Sequence, residues 1–419
     1  MFCNNKVFLS ISDNSAIICL INRWLLLIVS SSLFLACGDT SHLKEVENLY
    51  LEIKKSHAPD KRVAVFDLGF SHKSGIIAIT GETNQVEAKE ALLKVLQQQN
   101  IAYEDKVNLL PAKALGESTY GIINVSVCNI RSKKGHSQEL ATQSLLGTPI
   151  KVLDRQDNWY RVQTPDGYIA WLDHGGFVLT NENGYKEWIS EPKVMYIKDY
   201  GFSYAQPDSE AQKVSDLVAG NMLKSIGVVG DFIKVQYPDK REAFIPKSEV
   251  LNYDTWLATR NPTAENIITT AQQYLGRPYL WGGTSGKGMD CSGFTKTVFY
   301  LNGIQLARDA SQQVHTGASI NTAEDLDNLQ VGDLLFFGTK ATKEKKERIT
   351  HVGIYMGDGL FIHASGDAGV KIESLLPAAD NFAEERLKTF VKARRIITSL
   401  RENGIDLLAD LEMYNASEL

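Results

Sequence analysis

The sequence predicts a multidomain protein in which two small all-β barrels precede an α+β domain. The chain has 419 residues, 43% hydrophobic and 22% charged, and this length corresponds to about two to four domains. Short alternating strands broken by Gly, Pro, Asn and Asp run from about Gly121 to Asn252. This stretch repeats once, which favours two copies of a small barrel over one larger barrel. From about Asn261 onwards, helical spacing is followed by apolar strands, as in an α+β domain.

The N-terminus carries an apolar leader. Arg23 precedes an uncharged run from Trp24 to Ala36, which fits the core of a signal peptide and is short for a bilayer span of about 20 residues. Ala36 before Cys37 resembles the lipobox of bacterial lipoproteins, in which the cysteine becomes lipidated. We therefore expect residues 1–37 to be a signal peptide of the lipoprotein type. The expected location is the bacterial cell envelope, in the periplasm or anchored to the membrane through Cys37. A buried core helix is the alternative interpretation.

Residues 41–115 are predicted to form an α/β region of unknown role. Helical spacing is found around Leu43 to Lys55 and from Val86 to Gln98, and the run from Arg62 to Phe66 has the composition of a strand. No residue pattern in this region indicates chemistry.

The two predicted barrels are related by an offset of 73 positions, which separates Gly147 from Gly220. The same offset separates five further pairs of like residues: Trp159 and Phe232, Val162 and Val235, Pro165 and Pro238, Asp166 and Asp239, and Trp171 and Phe244. We assign the first barrel to residues 116–182 and the second to residues 183–256. Both resemble the bacterial Src-homology-3-like domain, which often accompanies cell-wall enzymes.

Charge and cysteine content exclude some classes of function. A formal net charge of −6 and a pI near 5.8 give no basic face for nucleic acid, so no nucleic-acid partner is expected. The five cysteines show no C-x-x-C spacing, and three of them lie in or beside the leader. A disulfide framework is therefore not expected.

The third predicted domain spans residues 261–399 and is followed by a tail of residues 400–419. A helix is predicted from Thr263 to Leu275, and a Gly-rich loop follows it. Cys291 then opens a second helix, whose dipole favours the thiolate over the thiol. His351 begins an apolar strand, and a Gly-Asp-Gly turn leads to a second strand that carries His363. Antiparallel pairing of these strands would bring the two histidines together.

A thiol, an imidazole and a third group that orients the imidazole are sufficient for nucleophilic attack on an amide. Cys291 would be the nucleophile, His351 its base and His363 the group that fixes the tautomer of His351. The same three residues could instead bind zinc, since a Cys-His-His set is an acceptable catalytic zinc site.

Six segments in order resemble the NlpC-type cysteine peptidases, papain-like enzymes that cut the stem peptides of peptidoglycan. The matching segments are Arg277–Gly283, Asp290–Phe294, Arg308–Gln313, Val331–Leu334, His351–Tyr355 and Ile362–Ala364. The resemblance implies a central antiparallel sheet with packed helices, the Cys291-His351-His363 triad, and Tyr279 on the oxyanion side. It implies neither a metal nor a cofactor.

Two Src-homology-3-like domains before such a peptidase resemble a narrower group, the γ-D-glutamyl-L-diamino acid endopeptidases. In that group the first barrel closes one end of the cleft and captures the free amine of an N-terminal L-alanine. The resemblance implies that Glu139, Tyr168 and Asp309 bind this amine. Ser292 and Arg308 would bind the α-carboxylate of D-glutamate, and Asp290 and Ser311 complete the expected substrate-binding set.

The predicted function is therefore hydrolysis of the γ-D-glutamyl to L-diamino acid bond in peptidoglycan-derived peptides with a free L-Ala. The diamino acid would be diaminopimelate or lysine. Three alternatives stay open: a general endopeptidase acting on intact peptidoglycan, a non-catalytic peptidoglycan-binding protein, and acyltransferase or transglutaminase-like chemistry on the same fold.

Overall fold

The computed structural model of the chain describes residues 42–322, 326–411 and 413–414. The predicted signal peptide and the lipidation site Cys37 lie outside these ranges. No helix within them combines the length and apolar character that a bilayer span requires. The described residues form two compact units, one ending at Leu109 and the other beginning at Leu110. This division falls six positions before the predicted end of the N-terminal region at residue 115.

The first unit is a three-stranded sheet with two helices. In chain order its elements are helix α1 (residues 42–57), β1 (Phe66–Lys73), β2 (Ile76–Thr83), helix α2 (Val86–Gln98) and β3 (Tyr103–Leu109). Strand β2 is central, antiparallel to β1 and parallel to β3. Buried apolar side chains of α2, including Leu92 and Leu96, pack on Ile77 and Ile79 of β2.

Helix α2 has the predicted bounds, but the strand predicted at Arg62–Phe66 was wrong. The strand begins at Phe66, because Arg62 closes a turn onto Asp60. In that turn the Arg62 guanidinium donates from Nε to Asp60 Oδ1 at 2.8 Å and from Nη2 to Asp60 Oδ2 at 2.7 Å. Local ion pairing thus overrides the strand composition of this run.

The second unit opens with two seven-stranded barrels. The strands of the first are β4 (Tyr120–Ile123), β5 (Val127–Arg131), β6 (Leu140–Leu145), β7 (Pro149–Gln156), β8 (Trp159–Gln163), β9 (Ile169–Asp173) and β10 (Phe177–Thr180). Helix α3 (Glu182–Ser190) follows them. The strands of the second barrel are β11 (Lys193–Tyr196), β12 (Tyr200–Tyr204), β13 (Lys213–Val218), β14 (Met222–Val229), β15 (Phe232–Gln236), β16 (Glu242–Pro246) and β17 (Val250–Asn252).

Corresponding strands of the two barrels occupy the same place in their sheets. The first barrel has the order β10-β4-β7-β8-β9-β5-β6, and the second has the order β17-β11-β14-β15-β16-β12-β13. Trp159 and Phe232 are the first residues of β8 and β15, which are the fourth, central strands of these two orders. The prediction of two copies of one barrel is therefore confirmed.

The remaining elements form the α+β domain. They are α4 (Tyr253–Ala258), α5 (Ala264–Gln272), β18 (Thr284–Ser285), β19 (Gly288–Met289), α6 (Cys291–Leu301), β20 (Ile304–Gln305), α7 (Ala310–Gln313), β21 (Ala318–Ile320), β22 (Leu334–Thr339), β23 (Arg348–Gly357), β24 (Leu360–Ser365), β25 (Gly369–Ser374), α8 (Glu384–Thr389), β26 (Phe390–Arg395) and β27 (Asp406–Leu407).

A six-stranded antiparallel sheet of order β21-β26-β22-β23-β24-β25 forms the centre of this domain. Helix α6 packs against it, with Phe294 and Val298 fully buried beside Val352 of β23. Helix α5 is shorter than predicted. Thr263 caps its first turn, and the helix ends at Gln272 in a turn that leads to Gly276 at φ +76°.

The C-terminal residues are part of this domain, so the prediction of a tail over residues 400–419 was wrong for those described. Strand β27 pairs with β20, the strand that directly follows α6 in the chain. Leu408 and Tyr414 are buried against Tyr300 of α6 and Tyr253 of α4. Burial of these apolar side chains outweighs the polar composition of the rest of the segment.

The first barrel packs directly on the Gly-rich loop before Cys291. The N–H of Thr284 donates to Gln143 Oε1 at 2.9 Å, and the Thr284 hydroxyl donates to the Gln143 carbonyl at 3.0 Å. Gly282 has φ +80°, and a Cβ there would lie 2.2 Å from the carbonyl oxygen of Leu140. Only glycine fits such an approach. Strand β6 therefore forms one wall of the space in front of Cys291.

Candidate active site

Cys291 is the first residue of α6 and is 8% exposed. Asp290 caps this helix, because its Oδ1 accepts a hydrogen bond from the N–H of Gly293 at 2.7 Å. The backbones of Ser292 and Val352 hydrogen-bond to the Cys291 thiol. Val352 directly follows His351, so strand β23, which carries the predicted base, contacts the predicted nucleophile through its backbone.

The two histidines contact each other across neighbouring strands. His351 Nε2 lies 2.8 Å from His363 Nδ1, and both side chains are buried. The predicted antiparallel pairing of β23 with β24 accounts for this contact. Gly353 leaves room for it, since a Cβ at that position would lie 3.1 Å from the Cβ of His363.

A carboxylate continues the series of hydrogen bonds. Glu373 Oε2 lies 2.8 Å from His363 Nε2, and Glu373 Oε1 lies 2.7 Å from Lys371 Nζ. Both residues belong to β25, the edge strand next to β24. His351, His363 and Glu373 thus form a hydrogen-bonded series across three neighbouring strands. The catalytic roles of Cys291, His351 and His363 remain predictions.

The protonation of the site differs from the sequence-based expectation of a thiolate. Burial, and next the Asp290 carboxylate, raise the pKa of the Cys291 thiol to about 11. Burial also lowers the pKa of His351 well below its ordinary value, and the neighbouring His363 lowers it further. The helix dipole, worth about 0.3–1 kcal/mol at such sites, is therefore outweighed. Burial thus favours the thiol form of Cys291 and the neutral form of His351.

This protonation state predicts the pH dependence of thiol alkylation. Because only the thiolate reacts and the folded pKa lies near 11, iodoacetamide labelling of Cys291 should speed up about tenfold per pH unit from pH 6 to 9. Mass spectrometry of the peptide that contains Cys291 measures the rate. A rate that is constant between pH 6 and 8 would show a preformed thiolate and contradict this account.

Tyr279 lines the same cleft as Cys291 and lies in the loop that precedes β18. It forms an isolated bridge with Met289, and its phenol is half-buried. Burial, and next the nearby Cys291, raise the pKa of Tyr279, so its hydroxyl stays protonated and can donate a hydrogen bond. This is the property that the predicted oxyanion role requires.

Arg308 forms a buried ion pair with Asp290. Its Nη2 lies 2.6 Å from Asp290 Oδ2, and its Nη1 lies 3.1 Å from Oδ1 and 3.0 Å from the Ser292 hydroxyl. The Arg308 side chain is only 1% exposed. Asp290 Oδ2 also accepts the N–H of Gly282 at 2.9 Å, which ties the Gly-rich loop to the start of α6. The charge expected to bind a substrate carboxylate is thus already balanced within the protein.

A cleft of about 400 Å³ brings the predicted substrate-binding residues together. Its lining includes the whole expected set, Glu139, Tyr168, Tyr279, Asp290, Cys291, Ser292, Arg308, Asp309 and Ser311. Glu139 and Tyr168 come from the first barrel, whereas the others come from the α+β domain. The structure therefore assembles one site from two domains, and the individual binding roles remain predictions.

Three further residues at this site had no assigned role from the sequence. Trp281, 63% exposed, donates from Nε1 to Glu139 Oε1 at 2.7 Å. Arg348, at the start of β23, lines the cleft. Glu373 depends on the register of β24 with β25, which no local pattern reveals. Trp281 could have been found, because it lies within the Gly-rich loop.

The geometry does not favour the zinc alternative. His351 and His363 direct ring nitrogens at one another, so those nitrogens cannot both face one ion. Over residues 42–322, 326–411 and 413–414, no group of three or more His, Cys, Asp or Glu side chains is placed to hold a metal.

A buried cysteine at a helix start, beside a histidine series on an antiparallel sheet, defines a cysteine peptidase of the papain-like class. The comparison with known families agrees. The model described as "NlpC/P60 family" matches residues 276–387, and the model described as "Bacterial dipeptidyl-peptidase Sh3 domain" matches residues 130–176. The chain belongs to the NlpC/P60 family of cysteine peptidases. The family, fold class and enzyme class predicted from the sequence are confirmed.

Two relatives are similar over most of their own length. The chain is 32% identical over 237 residues to the gamma-D-glutamyl-L-lysine dipeptidyl-peptidase of Bacillus cereus, covering 55% of this chain and 68% of that protein. It is 34% identical over 244 residues to the protein of the same name from Bacillus subtilis, covering 56% and 75%. A crystal structure of an NlpC/P60 family protein from Bacillus cereus is 26% identical, with a TM-score of 0.56, and covers 66% of this chain and 99% of that chain.

Proposed function

We propose that this protein hydrolyses the bond between γ-D-glutamate and the following L-diamino acid in peptidoglycan-derived peptides that carry a free N-terminal L-Ala. The observation that carries the proposal is the Glu139 carboxylate of the first barrel, which lines the same cleft as the Cys291 thiol. An N-terminal ammonium bound by that carboxylate sets the number of residues that fit before the nucleophile. The names of the two Bacillus relatives support the same bond.

Amine capture at this end of the cleft follows from desolvation. An ammonium that leaves water needs carboxylates and hydrogen-bond acceptors to offset the cost of burial. Glu139 and Asp309 supply carboxylates, and Tyr168, which interacts electrostatically with Arg308, supplies a phenol. An N-acetyl group has neither the charge nor the donors, and it adds volume. The site would therefore discriminate against blocked peptides.

The reaction proceeds through a thioester. As the Cys291 sulfur attacks the γ-carbonyl carbon, the thiol proton moves to His351 and the carbonyl oxygen becomes an oxyanion beside Tyr279. The C–N bond then breaks, and His351 returns its proton to the leaving α-amine of the diamino acid. A water molecule, deprotonated by His351, attacks the thioester and releases L-Ala-γ-D-Glu with the Cys291 thiol restored. No cofactor takes part in these steps.

The proposed location is the cell envelope, where such peptides arise during wall turnover. The apolar run from Trp24 to Ala36 and the small residue before Cys37 support export and lipidation. The mass of the mature N-terminus from envelope fractions would show whether the chain starts at a lipidated Cys37.

The amine requirement gives a direct prediction for Glu139→Gln. Loss of one hydrogen bond to a charged group costs about 1.5–3 kcal/mol, so we expect kcat/KM for L-Ala-γ-D-Glu-L-Lys to fall about 10-fold to 100-fold. The N-acetylated peptide should be a poor substrate for wild type, and Glu139→Gln should reduce its cleavage little further. Glu117→Gln, at an exposed carboxylate of the region preceding β4, is the matched control and should behave as wild type. Equal cleavage of free and acetylated peptides would instead favour a general wall endopeptidase.

A further inference from the structure

The hydrogen bonds behind the nucleophile extend one residue beyond the predicted triad. His363 is fully buried between His351 and Glu373, with a separation of 2.8 Å on each side. The Glu373 side chain is 19% exposed, and its other oxygen is held by Lys371 at 2.7 Å. Glu373 is therefore fixed at both oxygens.

The chemistry of each group determines where the protons lie. An ionised carboxylate only accepts hydrogen bonds, so His363 must carry its proton on Nε2, facing Glu373. A neutral His363 then has a bare Nδ1, which accepts from His351 Nε2. His351 in turn carries its proton on Nε2, and its Nδ1 is left with a lone pair.

We propose that Glu373 is a positioning residue, whose carboxylate sets the tautomers of both histidines and leaves His351 Nδ1 free to take the Cys291 proton. The kinetic test of this role rests on the proposed peptidase function, whereas the NMR test of the tautomers does not. The negative charge of Glu373 also offsets the positive charge that His351 acquires when it takes the proton. Removing that carboxylate frees His363 to adopt the opposite tautomer, in which His351 Nδ1 is already protonated and cannot act as base.

The surrounding charges support this assignment. Burial lowers the pKa of His363, whereas its hydrogen bond and attraction to Glu373 raise it, and Arg386 of α8 and Lys371 of β25 oppose the positive form. The hydrogen bond from His363 is the largest effect that lowers the Glu373 pKa to about 2, so Glu373 is ionised over the whole neutral range. At neutral pH, Glu373 therefore ends this series of hydrogen bonds as an ionised carboxylate that only accepts them.

Glu373→Gln should lower kcat about 10-fold to 1000-fold with little change in KM, a smaller loss than the ~10⁴-fold seen where the lost acid orients the base directly. Because Glu373 raises the pKa of His363, its loss should also move the acid limb of the kcat/KM profile to lower pH. Glu104→Gln is the matched control. It removes an exposed strand carboxylate that also pairs with a lysine two positions away, Lys106, and it should keep kcat within about threefold.

Histidine ¹⁵N NMR of the full chain reads the tautomers without any substrate. Wild type and Glu104→Gln should show His351 and His363 protonated on Nε2, and Glu373→Gln should lose this pattern. A wild-type His351 protonated on Nδ1, or a Glu373→Gln variant with unchanged kcat and pH profile, would overturn the proposal. If wild type cleaves no stem peptide, the proposed function fails, and the NMR spectra alone then support or overturn the role of Glu373.

Discussion

Cys291→Ala is expected to lower kcat on the stem tripeptide by about 10⁴-fold to 10⁶-fold, as removal of a covalent nucleophile does in hydrolases of this kind. The thiol is the group that forms the acyl intermediate, and alanine leaves His351 without a proton to take. KM should change little, because the Cys291 side chain is small and 8% exposed. The fall in kcat is measured from the rate at which the free diamino acid is released, as quantified by chromatography.

Cys128→Ala is the matched control for this substitution. Cys128 is buried in the core of the first barrel, and burial raises the pKa of its thiol to about 12. It lies outside the cleft, so its removal should leave kcat unchanged. Cleavage by Cys291→Ala at the rate of Cys128→Ala would contradict the nucleophile assignment and favour a non-catalytic binding protein.

Arg308→Met is expected to have the largest effect on stability. It leaves the Asp290 carboxylate, 9% exposed, without its cation, and breaking a buried pair in this way costs about 3–5 kcal/mol of unfolding free energy. The cost should appear in the α+β domain, because Asp290 also caps α6 and holds the N–H of Gly282. Denaturant unfolding monitored by tryptophan fluorescence is a suitable measurement.

Two further variants separate the ion pair from a simple loss of side-chain packing. Arg401→Met breaks a surface pair with Asp410 and should leave the unfolding midpoint almost unchanged. Combining Asp290→Asn with Arg308→Met removes the stranded charge and should recover part of the lost stability. An Arg308→Met midpoint close to that of Arg401→Met would show that the buried pair contributes little.

The sequence revealed those parts of the fold that local patterns encode. The 73-residue repeat could be found in the sequence because turn residues and aromatic residues recur at equivalent positions of each copy, as with Trp159 and Phe232. The Gly-Asp-Gly turn between β23 and β24 predicted the pairing that joins His351 to His363. The helix that begins at Cys291 was also predicted, and the structure adds that Asp290 caps it.

Features that depend on burial, or on the pairing of strands, could not be predicted from the sequence. The raised pKa of the Cys291 thiol was not predicted, because the helix dipole is local and visible in the sequence, whereas desolvation by the surrounding core is not. Glu373 is a charged residue in an edge strand, and only the register of β24 with β25 brings it to His363. The packing of Tyr414 on α6 likewise depends on the complete fold.

The central claim is that the first barrel and Cys291 together fix the cut two residues from a free amine. The most direct test is mass spectrometry of the products from L-Ala-γ-D-Glu-L-Lys and from the same peptide with one extra residue before the alanine. The account predicts L-Ala-γ-D-Glu and free lysine from the first peptide and almost no cleavage of the second. Equal cleavage of both peptides at the glutamyl bond, or cleavage of the first at another bond, would contradict it.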